Sequence, residues 1–179
     1  MSLVPEYPDT IINNFSSSPI YASFINNTKP GIVQQIADST APGAFPTIAT
    51  FTSTAVSVGV PPITTTGSAI ILPLVGNYRV IFSLQLTQGA GNDTVTFWLI
   101  LNGITTPDTS SYVALQSNSK VLAEVEFFLT TTGINDSLQL YLISDGNGSG
   151  LLTVPAVVAV GYDIPQSPAI VMNIEYLGT

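Results

Sequence analysis

Oxygen-bearing side chains alternate with other residues in the stretch SDGNGSG, residues 144–150. Asp145, Asn147 and Ser149 have the spacing of the first ligands of a calcium-binding loop, in which alternate positions supply oxygens. An EF-hand also needs a Glu at its twelfth position, and Ala156 stands there. The composition is more typical of a flexible loop between two strands. We therefore expect no metal site. The weak candidates for calcium ligands in this loop are Asp145, Asn147 and Ser149.

A second candidate for chemistry is the carboxylate pair Glu124 and Glu126, which stand two residues apart in a predicted strand and so share one face. Paired carboxylates at such a separation can hydrolyse glycosides. A glycosidase also needs a sugar-binding cleft, and Phe128 is the only aromatic residue predicted beside the pair. The interpretation we favour is a solvated patch or a partner for Lys120 or Arg79.

The residue types that most enzymes depend on are missing from this chain. It contains no Cys and no His, so thiolate catalysis, zinc–thiolate sites and the usual general base near neutral pH are excluded. Ser and Thr are abundant, but no His or well-placed Lys is available to activate them. We predict that the protein is not an enzyme and binds no cofactor.

The charge balance excludes two further classes of partner. Eleven acidic residues face three basic ones, Lys29, Arg79 and Lys120, for a formal net charge of −8. Nucleic-acid backbones and anionic membranes are both bound by clusters of Lys and Arg. No apolar run reaches the roughly 18 residues of a membrane-spanning helix. We expect neither nucleic-acid binding nor membrane insertion.

The hydrophobic pattern predicts an all-β protein. Residues 1–45 are rich in Pro, Asn and Ser and are predicted to form an extended N-terminal arm, with one or two helical turns near 32–36. Residues 46–179 form the predicted jelly-roll domain, an antiparallel two-sheet sandwich. Its predicted strands, separated by turn-forming residues, cover 47–58, 68–74, 77–87, 94–102, 111–116, 120–130, 137–144, 151–160 and 169–177.

Several of these strands are apolar on both sides. In TVTFWLIL, for example, Trp98 and Ile100 lie opposite a fully apolar face. A strand with a solvated outer face should be polar on that side. We infer that the arm or another subunit covers the outer faces, the alternative being a monomer with an adhesive surface. The candidate interface residues are Arg79, Trp98, Phe128, Tyr141 and Tyr176.

The segment LPLVGNYRVIFSLQLT, residues 72–87, combines a glycine entry with a long alternating strand. Gly76 permits the tight entry, and Tyr78 begins the face predicted to be buried. Arg79 begins the opposite face, and two interpretations of it remain open. It is either solvated, with its stem lying on apolar surface, or it forms a buried ion pair between subunits that fixes the register of assembly.

The order of these motifs resembles the trimeric jelly rolls of the tumour-necrosis-factor and complement-head type. The resemblance rests on AIILPLVGNYRVIFSLQL, then TVTFWLILNGI, KVLAEVEFFLTTTGINDSLQLYLIS and AIVMNIEYLG, and covers roughly residues 46–178. The turn after Gly133 is longer than the family pattern. The resemblance implies a single jelly roll, self-association around a threefold axis, and a role in display or recognition.

Two functions follow as expectations. The first is a structural virion protein, namely a capsid, penton, minor capsid or spike component that forms a closed homo-oligomer, a trimer in preference to a pentamer. Its arm would contact neighbouring capsid or fibre proteins. The alternative is the trimeric head of a fibre or cell-surface protein that binds a receptor or glycan, with an extracellular rather than a virion location.

Overall fold

The strands of the protein were located in a computed structural model that describes residues 19–26, 33–146, 148–154, 157–159, 162–164 and 166–179. No helix occurs in these ranges. The strands are β1 (Tyr21–Asn26), β2 (Val33–Gln35), β3 (Thr47–Ile48), β4 (Ser53–Val58), β5 (Thr64–Thr65), β6 (Ile70–Leu72), β7 (Gly76–Gln88), β8 (Asp93–Leu101), β9 (Ile104–Thr105), β10 (Ser111–Leu115), β11 (Lys120–Thr131), β12 (Asp136–Ser144), β13 (Ser149–Leu152), β14 (Val157–Ala159), β15 (Tyr162–Ile164) and β16 (Ile170–Gly178).

The strands form the predicted antiparallel jelly roll. The first sheet runs β4-β1-β16-β7-β11, and β13 with β2 continues it beside the far end of β7. The second sheet runs β10-β8-β12-β6-β5, with β3 paired to β12 and β9 paired to β8. β14 and β15 form a separate two-stranded ribbon. The 13-residue β7 lies inside the first sheet and pairs with β11 over twelve residues.

Side chains from both sheets meet in one core. The alternating residues of β7 that the sequence predicts to be buried are buried, namely Tyr78, Val80, Phe82, Leu84 and Leu86. Phe82 meets Phe97 of the second sheet in an edge-on contact, with ring centroids 5.6 Å apart. Successive side chains of β7 and of β8 point to opposite faces, so the alternating apolar residues of each strand share one face. The two sheets pack with these apolar faces toward each other.

The entry to β7 depends on glycine, as the sequence predicts. Gly76 has φ = 141°, and a Cβ there would lie 2.6 Å from the carbonyl oxygen of Gly178 and 2.8 Å from the ring of Tyr176. The Tyr78 hydroxyl then fixes the turn: it donates to the carbonyl of Leu74 and accepts from the amide of Leu74, both at 3.0 Å.

Some predicted elements differ from the structure. A helical turn near 32–36 is wrong for Val33–Gln35, which form β2 and pair with β13. Tertiary strand pairing there overrides a weak local period. The strand predicted over 47–58 is two strands in different sheets, because the chain crosses between the sheets with Ala49 and Phe51 buried.

Part of the predicted arm lies within the jelly roll. β1, Tyr21–Asn26, is an interior strand of the first sheet, paired with β16 on one side and β4 on the other. Ala22 and Phe24 of β1 are buried in the core, which explains why an apolar alternation occurs in this polar region. The rest of the predicted arm includes residues 1–18 and 27–32, which lie outside the described residues.

Candidate self-association and binding surfaces

The outer face of the first sheet brings together charged side chains from three strands. Strand register places Glu175, Arg79 and Phe128 in one row across β16, β7 and β11. The Arg79 Nε donates to Glu126 Oε1, and its terminal nitrogen lies 3.7 Å from Glu175 Oε2. Arg79 thus pairs with acids of its own chain, and its side chain is 40% exposed. The ion pair that the sequence analysis allowed between subunits is therefore formed within one subunit.

This acidic face carries more negative than positive charge. The bond to Glu126 raises the pKa of Arg79, so its guanidinium stays protonated. Glu124 lies on the same face as Glu126, as predicted, and makes no ion pair within the described ranges. Three carboxylates around one guanidinium leave a local charge of about −2 at neutral pH. Arg79 is thus the partner of Glu126, one of the two basic residues that the sequence interpretation of this pair named.

Large apolar side chains lie beside this charged cluster on β11. Phe128 is 66% exposed and Leu122 is 64% exposed, and both point outward from the sheet. β11 is an edge strand of twelve residues that pairs only with β7 among the described residues. Tyr112 is exposed on β10, the edge of the second sheet that adjoins β11. Long exposed edge strands that carry large apolar side chains are normally covered in native proteins.

A groove crosses the same outer face between β1, β16 and β7. It has a volume of about 520 Å³, and its lining includes Tyr21, Ser23, Val56, Ile81 and Arg79. The groove extends from β4 to β7, and β11 with its exposed Phe128 and Leu122 lies beside β7 at the edge of the same sheet face. A contact that joined them would be head-to-tail, which is the type of contact from which cyclic oligomers are built.

The five predicted interface residues do not lie on one surface. Arg79 and Phe128 share the outer face of the first sheet. Trp98 and Tyr141 stand opposite each other on the outer side of the second sheet, with ring centroids 5.9 Å apart. Tyr176 packs against Tyr78 within the same subunit at 5.1 Å, and its hydroxyl donates to the carbonyl of Val75.

The calcium candidates lie around a residue that sequence reasoning missed. Asp93 is buried, accepts the hydroxyl of Ser144 at 2.5 Å, and also accepts the hydroxyl of Ser149. The amide of Thr94 donates to Asp93 at 2.7 Å and to Asp145 at 2.6 Å. The alternation that begins at Asp93 marks it as a strand residue, and its partners are distant in sequence.

This arrangement holds the loop after β12 in place by hydrogen bonds. The pKa of Asp145 is lowered, most strongly by its hydrogen bond with Asp93 and next by the hydrogen bond from the amide of Thr94. Asn147 lies outside the described residues, so the candidate ligand set is not assembled by the described part of the chain. Within that part, no three His, Cys, Asp or Glu side chains are grouped to hold a metal.

The opposite end of the sandwich exposes several large aliphatic side chains. Among the polar residues of its loops and strand ends, five large aliphatic side chains are exposed, namely Val60, Val75, Ile104, Ile134 and Leu177. Asn102 Nδ2 donates to Asp136 Oδ1 at 2.8 Å, and the amide of Ser137 donates to Asn102 Oδ1 at 2.8 Å. These bonds fix the hairpin that carries Ile104 beside the loop that carries Ile134. We call this surface the apolar loop end.

No family model matches this chain, and no curated protein matches it in sequence. Solved structures match its fold. The globular domain of zebrafish complement 1qA protein has a TM-score of 0.54 at 10% identity, over 88% of this chain and 97% of that domain. Murine APRIL, crystallised at pH 5.0, has a TM-score of 0.54 at 6% identity, over 89% and 99%. Eiger TNF from S. frugiperda has a TM-score of 0.50 at 15% identity, over 89% and 93%.

These similarities establish the jelly roll of the tumour-necrosis-factor and complement-head type that the sequence motifs predict. At such low identities they bear on the fold alone. The described residues also include no helix that could cross a membrane.

Proposed function

We propose that this protein is a homotrimeric, extracellular binding head. Its subunits associate through the outer face of the first sheet, and its apolar loop end contacts a protein partner. The observation that carries the proposal is the exposed β11 edge. Phe128 and Leu122 are exposed on this twelve-residue strand, and one side of the strand is unpaired in the described structure. The jelly rolls that the chain resembles support the threefold symmetry.

The physical case for self-association is the cost of leaving this edge in water. Fully burying a side chain of the size of Phe or Leu contributes about 1.5–3 kcal/mol. The groove beside Tyr21 and Ile81 offers an apolar floor for such side chains from another copy.

The apolar loop end is the surface proposed for the partner. Exposed aliphatic side chains on several neighbouring loops mark interaction sites more often than they mark free surface. Loops that project from a rigid sandwich can also vary without disturbing its core. The proposal is for binding rather than catalysis, since the one carboxylate pair predicted for chemistry is engaged by Arg79.

The virion interpretation receives less support than this alternative. It depends on a long arm that reaches neighbouring subunits, and β1 takes residues 21–26 of that arm into the first sheet. The similar solved structures reported above are a complement head and proteins of the tumour-necrosis-factor type. We retain residues 1–18 as a proposed tether between the head and its neighbours.

The test of self-association is the absolute mass by light scattering after size exclusion. A trimer has three times the subunit mass of 18.8 kDa, which is 56.4 kDa. The Phe128→Glu variant should fall to 18.8 kDa, because it places a carboxylate in the centre of the proposed contact. Because Phe128 is exposed on the subunit, the new carboxylate is not buried in the monomer. The circular dichroism spectrum should therefore be unchanged.

Two matched variants complete the experiment. Phe45→Glu makes the same change at a Phe that is 84% exposed outside the strands, and Ile134→Glu makes a similar change at the apolar loop end. Both should retain 56.4 kDa. A wild-type chain that is monomeric at 100 μM would contradict the proposal. A Phe128→Glu variant that stays trimeric would show that the trimer contact does not involve the β11 edge.

A further inference from the structure

The outer face of the second sheet carries a row of aromatic rings. Trp98 of β8 stands opposite Tyr141 of β12, and their rings are tilted by 39° with centroids 5.9 Å apart. Tyr112 of β10 stands opposite Thr96, one diagonal position from Trp98, and is 72% exposed. Aromatic side chains at diagonal positions on adjacent strands are within reach of each other. The three rings therefore lie side by side across about 10 Å of sheet, the width of two strand spacings.

These rings belong to an uncharged surface. Successive strand residues alternate between the core and the outer face, and the two acids of these strands, Asp93 and Asp136, are buried on the core side. No charged side chain points outward from β3, β8, β10 or β12, all of whose residues the structure describes. On a chain with a formal net charge of −8, such a face suits a neutral ligand better than a charged one.

The same face offers hydrogen-bonding groups that the described part of the chain does not use. Five outward side chains carry such a group and make no side-chain hydrogen bond there, namely Thr96, Trp98, Tyr112, Gln139 and Tyr141. None of their polar atoms is buried without a partner, so these groups are open to solvent. A ligand that has both apolar C–H faces and many hydroxyls would contact the rings and satisfy these groups at once.

A polar depression continues this face where β8 begins and β10 ends. Its volume is about 380 Å³, and its lining includes Asn92, Thr94, Gln116 and Asp145. Thr94 lies two residues before Thr96 and on the same side of β8, so the depression adjoins the aromatic row. Amide, hydroxyl and carboxylate groups beside apolar rings are the combination that fixes a polar ligand in orientation.

We propose that the outer face of β3, β8, β10 and β12, which we call the aromatic platform, binds a neutral oligosaccharide. The C–H faces of its sugar rings lie on Trp98, Tyr141 and Tyr112, and its hydroxyls bond to the polar groups beside them and in the depression. A protein partner fits this face less well. None of the exposed large aliphatic side chains, which would anchor a protein contact, belongs to these four strands.

The aromatic platform goes beyond the proposed function and does not depend on it. The proposed trimer contact uses the outer face of the first sheet, and the protein partner is assigned to the apolar loop end. The platform lies on the other layer of the sandwich, so it stays accessible when the trimer forms. One shallow platform should bind weakly, whereas three copies in a trimer would bind a repeating polysaccharide more tightly.

The experiment uses the full chain on a printed array of neutral and acidic oligosaccharides, followed by titration of the strongest neutral one in solution. Trp98 is the only tryptophan of the chain, so its fluorescence reports on the platform directly, and we expect a saturable change. Tyr112→Ala, at an exposed position, should weaken binding about tenfold without affecting the fold. Tyr141→Ala should do the same, with thermal unfolding as the check that it is folded. Phe128→Ala removes an exposed ring from the first sheet and should keep the wild-type affinity.

The Phe128→Glu variant separates this proposal from the trimer. It should bind the oligosaccharide in solution with wild-type affinity per subunit, whatever its mass. An array without any bound oligosaccharide, a preference for acidic ones, or an affinity that Tyr112→Ala and Tyr141→Ala leave unchanged would each overturn the proposal. A change in Trp98 emission that follows protein concentration alone would also overturn it and would assign the platform to a second copy of the chain.

Discussion

Tyr78 links the entry of the longest strand to the core. Its ring is fully buried and packs against Tyr176, while its hydroxyl satisfies both backbone groups of Leu74. Burial raises the pKa of Tyr78 above the ordinary 10.0, and the bond from Leu74 opposes part of this effect. The folded state therefore favours the neutral phenol.

Replacing Tyr78 by Phe tests this residue. The variant leaves the amide of Leu74 without its partner, while the carbonyl of Leu74 still accepts the Thr131 hydroxyl at 2.8 Å. The loss should destabilise the fold by about 1–3 kcal/mol at pH 8. Because the folded pKa is raised, the stability that the neutral Tyr78 contributes is fully present below pH 10.0 and is lost as the pH rises through the folded pKa.

Urea unfolding at pH 8 and pH 11 measures both effects. The wild-type chain should lose more stability than Tyr78→Phe between these two values, since the variant lacks the group that ionises. The other six of the seven tyrosines are common to the two proteins, so the comparison isolates Tyr78. Parallel losses in both would contradict the role assigned to Tyr78.

At the scale of elements, β1 is the interior strand that joins β4 to the rest of the first sheet. It provides pairing to β16 and β4 and buries Phe24, whose ring meets Phe51 at a centroid distance of 6.2 Å. Loss of a buried Phe alone costs about 3–5 kcal/mol, against a total stability of about 5–15 kcal/mol for a domain. β1 is therefore part of the domain's stability rather than an accessory.

Chains shortened from the N-terminus show which of the first residues the domain needs for stability. A chain that starts at Pro19 keeps every described strand and should unfold cooperatively, like the full chain. A chain that starts at Ala44 loses β1 and β2 and exposes the edge of β16, so we expect it to aggregate or fail to fold. Far-UV circular dichroism with thermal unfolding gives the comparison, and a stable domain from Ala44 onward would show that β1 is dispensable.

For the whole molecule, the balance of charge on the acidic face sets how easily two copies approach. Arg79 offsets one of three carboxylates, Glu124, Glu126 and Glu175, and it contacts two of them. A second copy that packs on this face meets a local charge of about −2 on a chain whose formal net charge is −8. Arg79 thus limits repulsion at the proposed trimer contact.

The Arg79→Gln variant makes this face more negative by one charge. We expect trimer formation to need roughly tenfold more protein, and 0.5 M salt to recover much of the loss by screening the added repulsion. Lys120→Gln removes the same charge at the far end of β11 and should have a smaller effect. Sedimentation velocity over a concentration series measures both, and an unchanged dissociation midpoint for Arg79→Gln would contradict the argument.

The sequence by itself determined the fold class and most strands of the domain. Alternation in β7 identified its buried face, and glycine at residue 76 identified its entry, because both follow from local backbone geometry and a period of two. The absence of His and Cys and the scarcity of basic residues led to the expectation of binding or assembly. These properties depend on composition and near neighbours alone.

Tertiary structure decided which residues share a surface. Asp93 meets Ser144 and Ser149, which are 51 and 56 residues away along the chain, and no local pattern encodes that contact. Strand pairing also brought β1 into the sheet and separated Trp98 from Phe128 onto opposite layers. Long-range register fixes such positions, since it depends on how whole sheets pair and close around the core.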